Sequence, residues 1–297
     1  MTEKQKQKTA VATRPPNKIS TVREMLDKSK AQIKAALPKF MDMPRFLRVA
    51  MTSIQRNPTL LDCEPITLVG AIIQAAQLGL ELDGTLGHAY LVPFWNNRKG
   101  RREVQFIAGY KGLIALVRRS KEMAGIEARV VHDKDTFLFE FGTNAMIKHV
   151  PFPSTVDAGA PIAFYAIARM RDGTGQFDVM QKYEVDKIMF RSPSKDKEGK
   201  IVGPWLNDYE EMGKKTVIRR LIKVLPVTIE TQKAVTLDER TELGLPQDLG
   251  MLADESEIPT PGETEAVSSV AMPKKLEAVP QQESAPVVDK NGNLIEF

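Results

Sequence analysis

The sequence predicts an α+β fold, with N-terminal helices, a largely antiparallel sheet that includes a β-hairpin, and packed helices between disordered termini. Three observations predict it. Apolar residues recur at helical spacing through the first eighty or so positions. β-rich runs then arrive in pairs joined by short polar turns. No regular βαβ alternation follows, so a parallel sheet is not indicated.

Taken in order, Thr21 and Glu24 stand in a capping-box pattern ahead of Met25, Leu26, Ile33 and Leu37. Pro44, at a first-turn position, precedes Phe46, Leu47, Met51 and Ile54, and Asn57 with Pro58 ends that second helix. A third helix over residues 67–78 carries Leu68, Ile72, Ala75 and Ala76 and stops at Gly79. HAYLVPF (88–94) and EVQFIAGY (103–110) flank the turn WNNRKGRR and read as a hairpin with a basic tip. Further strands are expected at ARVV (128–131), TFLFEF (136–141), IAFYAIARM (162–170) and QFDVM (176–180), the last two joined by the turn RDGTG.

Charge divides the chain. Residues 241–297 hold 11 acidic and 3 basic residues, a net −8, which leaves +12 on residues 1–240 against a total of +4. The organisation expected is a disordered basic arm (1–18), a folded body for binding and assembly (19–245), and an acidic, Pro-rich disordered tail (246–297). A basic body commonly serves a polyanion; a solvated surface with no ligand is the plainer alternative. No apolar run is long enough to cross a membrane, and the Lys-rich start lacks a signal-peptide core, so a cytoplasmic location is expected. The single Cys63 and the dispersed His88, His132 and His149 offer no disulfide and no zinc spacing.

Three stretches carry chemistry. In the first, a helix starting near Lys111 places Lys111 and Arg118 on one face, with Arg119 beside them and Leu113, Leu116 and Val117 on the packing side. Tyr110 precedes that face, and the hairpin tip adds Trp95, Arg98, Lys99, Arg101 and Arg102. Phosphates need Lys or Arg, and a base stacks on any aromatic face, so this pattern suits a nucleic-acid strand. In the second, NDYEEMGKKTVIRRLIKVLP, Asp208 caps toward Glu211 and Lys215, Arg219 and Lys223 form a basic stripe flanked by Lys214 and Arg220. The third, residues 190–209, reads as a mobile loop in which Trp205 is a packing anchor or a stacking platform, and Arg191 and Lys195 meet phosphate or only solvent.

Enzyme motifs are weak by comparison. GKKT at residues 213–216 fails as a phosphate loop, because Lys215 replaces the needed hydroxyl and the stretch reads as mid-helix. Asp133, Asp135 and Asp178 would be the carboxylates of a Mg²⁺-dependent nuclease, although ordinary surface acids explain them better. No catalytic residue and no metal site is expected.

The runs QLGLELDGTLGHAYLVPF, IAGYKGLIALVRRS, ARVVHDKDTFLFEFG, GPW and EMGKKTVIRRLIKVLP occur in this order within residues 26–243 and resemble the RecT family of phage and prophage recombinases. The resemblance implies a non-enzymatic, ATP-independent protein of homologous recombination. Such a protein binds single-stranded DNA, anneals complementary strands, assembles with itself into rings or helical filaments, and works beside a phage exonuclease. It also implies a β-β-β-α core. No cofactor is then required, with Mg²⁺ entering only as a DNA counterion. Two positions depart from the family pattern: Leu82 stands in place of Pro, and Gly213 in place of Ala, where it is expected to weaken its helix by about 1 kcal/mol. The chain's end, NLIEF, resembles the tip of bacterial single-strand-binding proteins, making a host protein of that kind, or its docking partners, a further candidate contact. The tail as a whole reads most simply as a solubilising linker, with a competing polyanion or a handle for a partner as the alternatives. The rival classes are a nuclease or nuclease subunit and a non-catalytic assembly protein that binds acidic protein.

Overall fold

A computed structural model describes residues 18–84, 86–153, 158–196 and 198–253, all within one compact unit. The fold is α+β. Four helices open it: α1 (Lys18–Lys28), α2 (Lys30–Ala36), α3 (Met43–Arg56) and α4 (Pro65–Leu78). Thr21 lies inside α1, so the expected capping box does not form. At α3 the capping residue is Asp42, whose carboxylate accepts from Arg45 N at 3.0 Å, with Pro44 in the first turn as expected. α4 is apolar nearly all round (Leu68, Val69, Ile72, Ile73, Ala76), and a helix of that kind can exist only as the centre of a core. α1 and α2 pack on it from one side and the first hairpin from another, and Gly79 ends it at φ 59°.

That hairpin pairs β1 (Ala89–Asn96) with β2 (Arg101–Ala108) in antiparallel register. Asn96 Oδ1 accepts from Arg98 N and Lys99 N and sets the turn between them. Helix α5 (Tyr110–Arg119) follows at once, taking Tyr110 out of the strand that was expected to end there. Then come β3 (Met123–His132), a short hairpin of β4 (Thr136–Glu140) and β5 (Met146–Val150), and the long pair β6 (Pro161–Met170) and β7 (Gly175–Gln181). The chain closes its body with α6 (Lys182–Arg191), α7 (Pro204–Asn207), α8 (Tyr209–Ile222), α9 (Ile229–Glu242) and a 3-10 turn, Leu249–Leu252.

The strands form three small antiparallel sheets where one larger sheet was expected: β1-β2, β4-β5 and β3-β6-β7. In the first hairpin the β2 edge is occupied at Phe106 by a side chain. Gln247 Oε1 accepts from Phe106 N at 2.8 Å while its Nε2 donates to Phe106 O at 2.8 Å, so one side chain stands in for a neighbouring strand. In the three-stranded sheet, alternation along β6 sends Phe164, Ala166 and Ala168 into the main core, where α8 packs against the sheet. Ala163 and Tyr165 face a second cluster that the β4-β5 hairpin covers with Phe137, Phe139 and Ile147. Three antiparallel strands followed by helices give the β-β-β-α core.

Residues 246–253 were expected to begin the tail. Instead they are packed: Leu249 is buried, Gln32 Nε2 donates to Leu252 O at 2.6 Å, and Gln247 Nε2 donates to Leu237 O at 2.8 Å. The expected arm through residue 17, and the tail from residue 254 including the NLIEF tip, lie outside the described residues.

Candidate nucleic-acid interface

The residues with exposed charge beside exposed aromatic surface gather first at the base of the β1-β2 hairpin. Gly109 N donates to His88 O at 2.9 Å, and a Cβ on Gly109 would sit 2.1 Å from Gly87 O and 3.1 Å from a ring carbon of Tyr90. The two backbones therefore touch, and the Tyr90 ring, 41% exposed, lies along them. Lys111, in the first turn of α5, is exposed next to it. Arg118 stands two turns further on the same side, about 10 Å along the axis. It borders a shallow cavity of about 260 Å³ lined also by Gly125, Glu127, Ile167 and Arg169. Neither Lys111 nor Arg118 has an ion-pair partner among the described residues. Tyr110 is half-buried beneath Lys214, whose Nζ lies 5.7 Å from the ring centroid and pairs with Glu211. Burial, then the Glu211 carboxylate, push the Tyr110 phenol up from its ordinary value, so it remains a neutral ring.

The hairpin tip forms a second group, about 20 Å along β1 from Tyr90. Trp95 is 54% exposed and stands opposite Arg102 in the register. Arg98 and Arg102 are exposed without an ion pair among the described residues. Lys99 and Arg101 are engaged: Lys99 Nζ meets Glu103 at 3.1 Å and Asp248 at 3.2 Å, and Arg101 meets Glu64 at 3.4 Å and Glu103 at 3.6 Å.

The basic stripe along α8 is engaged by carboxylates: Lys215 and Arg219 are turned inward, and only Lys223, just past the helix end, stays exposed. Lys215 Nζ lies 2.5 Å from Asp238 Oδ1, Arg219 pairs with Asp238 at 2.9 Å and with Glu242, and Lys223 pairs with Glu239, so the stripe fastens α8 to α9. Arg220 grips β7 and α6 through Asp178 at 2.5 Å and Glu184 at 3.0 Å. These carboxylates offset the repulsion that cations four residues apart on one helix would otherwise feel. Arg119 is also structural, donating to Leu78 O and Gly79 O at 2.7 Å each and so capping the last turn of α4, with its guanidinium 4.8 Å from the Phe40 ring centroid.

Trp205 is 3% exposed, tilted against Tyr209 at 6.3 Å, so it anchors the start of α8 and offers no stacking platform. Asp208 precedes that helix but its side chain makes no capping bond. The loop before it is tied into a tight turn: Lys195 bridges Ile201, and Asp196 Oδ1 accepts from Glu198 N and Lys200 N at 2.9 Å. Lys195 Nζ donates to Phe190 O at 2.6 Å and Arg191 Nε to Lys187 O at 3.2 Å, both remaining exposed at the end of α6.

Residues 213–216 lie within α8, where Gly213 faces the Phe164 ring, a setting unlike any phosphate loop. The three acids considered for a nuclease are not brought together. Asp178 engages Arg220 on the helical side of the sheet, while Asp135 engages His149 on the hairpin side and Asp133 is exposed. Tyr90 was not among the expected site residues, although it sits in the alternating run HAYLVPF, where position 90 falls opposite the buried Ala89 and Leu91. Nor were Tyr183, Lys187 and Phe190 of α6, whose spacing looks like a packing stripe.

A family model described as the RecT family matches residues 44–249. Protein RecT of Escherichia coli (strain K12) is 44% identical over 233 residues, spanning 77% of this chain and 84% of that protein. A Bacillus subtilis (strain 168) protein named Uncharacterized protein YqaK is 27% identical over 196 residues, 66% of this chain and 63% of its own length. The matched span runs from the first turn of α3 to the buried Leu249, taking in both hairpins, the three-stranded sheet and the α8-α9 pair. The chain belongs to the RecT family.

Proposed function

We propose that this protein acts in phage-type homologous recombination by binding single-stranded DNA and annealing it to its complement, as an oligomer and without ATP. The observation that carries this reading is the Tyr90–Lys111–Arg118 face. Two exposed cations with no ion pair among the described residues share one side of α5, and Lys111 stands next to the exposed Tyr90 ring on a floor of bare backbone. Cations hold phosphates and the ring stacks a base of any sequence, so one strand is retained while its pairing edges stay open to a complement. Binding and release suffice for that work, and no bond is made or broken. Trp95, Arg98 and Arg102 at the hairpin tip are a separate exposed group that can take a further stretch of strand, while Lys215 and Arg219 hold the protein's own helices together. Mg²⁺ acts only as a counterion; a phage exonuclease is the partner that would supply the single strand, and a host single-strand-binding protein is a further candidate contact.

The test mixes two complementary labelled oligonucleotides with the protein, without nucleotide, across a salt series with and without Mg²⁺. Accelerated pairing of intact strands is expected. Tyr90→Ala with Lys111→Ala and Arg118→Ala should slow it at least tenfold, and loss of two phosphate contacts to a single strand should flatten the salt slope of binding by about 1.4. Mg²⁺-dependent strand loss would make the protein a nuclease. Absence of any oligonucleotide affinity at low salt would return it to the class of assembly proteins.

A further inference from the structure

Helix α6 is amphipathic in an unusual sense. Its two carboxylates are consumed from within: Glu184 pairs with Arg220 at 3.0 Å, and Asp186 takes Lys182 at 2.6 Å and the Tyr209 hydroxyl at 2.6 Å. Val185 is buried, and Ile188 and Met189 pack against the core. The opposite side carries Tyr183, Lys187, Phe190 and Arg191, at positions i, i+4, i+7 and i+8, which share one face. Tyr183 is 59% and Phe190 60% exposed, and the Lys187 ammonium lies 5.0 Å from the Tyr183 ring centroid. Neither Lys187 nor Arg191 has an ion pair among the described residues, and Lys195 adds a third exposed cation at the helix end.

Two open rings about 10 Å apart with a cation between and a cation beyond are complementary to an oligoanion that carries flat bases. An apolar protein surface would cover the rings only by stripping water from Lys187 and Arg191 with no counter-charge, which costs free energy. This face is also apart from the one at Tyr90. α5 packs on β3 and α6 on β6 and β7, towards opposite edges of the three-stranded sheet.

We propose that the outer face of α6 is a second single-stranded DNA site, which stacks bases on Tyr183 and Phe190 and meets phosphates with Lys187 and Arg191, and which holds the incoming strand. The inference rests on the proposed function and deepens it. With one strand along Tyr90, Lys111 and Arg118, and another along α6, complementary strands are concentrated on one assembly before they pair.

The experiment saturates the full-length protein with an oligo-dT strand and then adds a second, non-complementary strand containing iododeoxyuridine for photo-crosslinking and peptide mapping. Crosslinks from the second strand are expected at Tyr183 and Phe190, while an iododeoxyuridine strand offered first marks the Tyr90 peptide. Tyr183→Ala with Phe190→Ala should leave first-strand affinity within about twofold, which also reports an intact fold, and cut the annealing rate about tenfold or more, the scale of one lost stacked base. Lys187→Glu with Arg191→Glu should do the same. The proposal is overturned if second-strand crosslinks fall only on the Tyr90 peptide, or if both double variants anneal at the wild-type rate. It is equally overturned if the variants change particle size by light scattering with annealing unaltered, since α6 is then a contact between copies. Wild-type protein that binds no oligonucleotide would sink the proposed function itself.

Discussion

At Gly213 helix propensity and packing pull in opposite directions, and packing wins. A Cβ there would lie 2.3 Å from Cε1 of Phe164, a fully buried ring on β6, so α8 approaches the sheet only because this position has no side chain. The expected penalty for glycine in a helix, about 1 kcal/mol relative to alanine, is smaller than the roughly 1–3 kcal/mol cost of overpacking a filled core. Gly213→Ala should therefore lower stability in a urea titration; a gain would show that the Phe164 ring yields. Arg219 presents a similar reversal. Its charge is plain in the sequence, but its partners Asp238 and Glu242 lie on the next helix, and a stripe of cations looks the same whether carboxylates or solvent face it. Asp238 is buried and in Arg219→Ala keeps only Lys215 as its partner, so the variant should lose about 1.5–3 kcal/mol in unfolding free energy, the worth of a charged hydrogen bond. Any fall in DNA binding by that variant should track its folded fraction, whereas Lys111→Ala should weaken binding with an unchanged melting curve.

Among the elements, the β4-β5 hairpin has the most specific fastening. Asp135, with its side chain 2% exposed, accepts from His132 N and Phe152 N at 2.7 Å each and from the His149 ring at 3.0 Å, while the other His149 nitrogen lies 3.2 Å from the Tyr165 hydroxyl. Burial alone would raise the Asp135 carboxyl, but those donors outweigh it and hold its pKa down at about 2 against an ordinary 3.8. A depressed carboxyl contributes stability that is complete above the ordinary value and is lost as pH falls towards the folded one. Stability should thus drop between about pH 4 and pH 2. Asp135→Asn should be less stable near neutrality yet lose less over that acid window, read by melting temperature against pH. The sequence displayed β4 through TFLFEF but not β5, because Met146, Lys148 and Val150 face solvent and MIKHV lacks the aromatic signature of its partner. The helices were legible wherever a local stop marks them, as at Asn57 and Gly79. The split into three sheets was not, nor was the occupant of the β2 edge at Phe106, since Gln247 lies far along the chain.

For the whole molecule, the decisive boundary is the one between the body and the acidic stretch after it, and composition alone misplaces it. Residues 246–253 read as tail because Pro246, Gln247, Asp248 and Gly250 lack a periodic apolar pattern, yet Leu249 is buried and Gln247 completes a sheet edge. Two truncations separate structure from charge. Ending the chain after Gly244 removes the buried Leu249 side chain and the Gln247 bonds. That is about 3 kcal/mol or more by the usual worth of a buried leucine and two hydrogen bonds, and roughly 6–12 °C in melting temperature for a body of this size. Ending it after Ala253 keeps all of these contacts, so the melting temperature should hold. That second truncation removes 9 acidic and 3 basic residues, raising the net charge from +4 to +10. A polyanion tethered to a basic body competes with DNA for the same cations, and its effect is screened by salt. The shorter protein should therefore bind an oligonucleotide more tightly at low salt, with the difference shrinking as salt rises. Equal affinity across the whole salt series would mean that residues 254–297 never reach the binding face, leaving a partner handle or a solubilising role as their work.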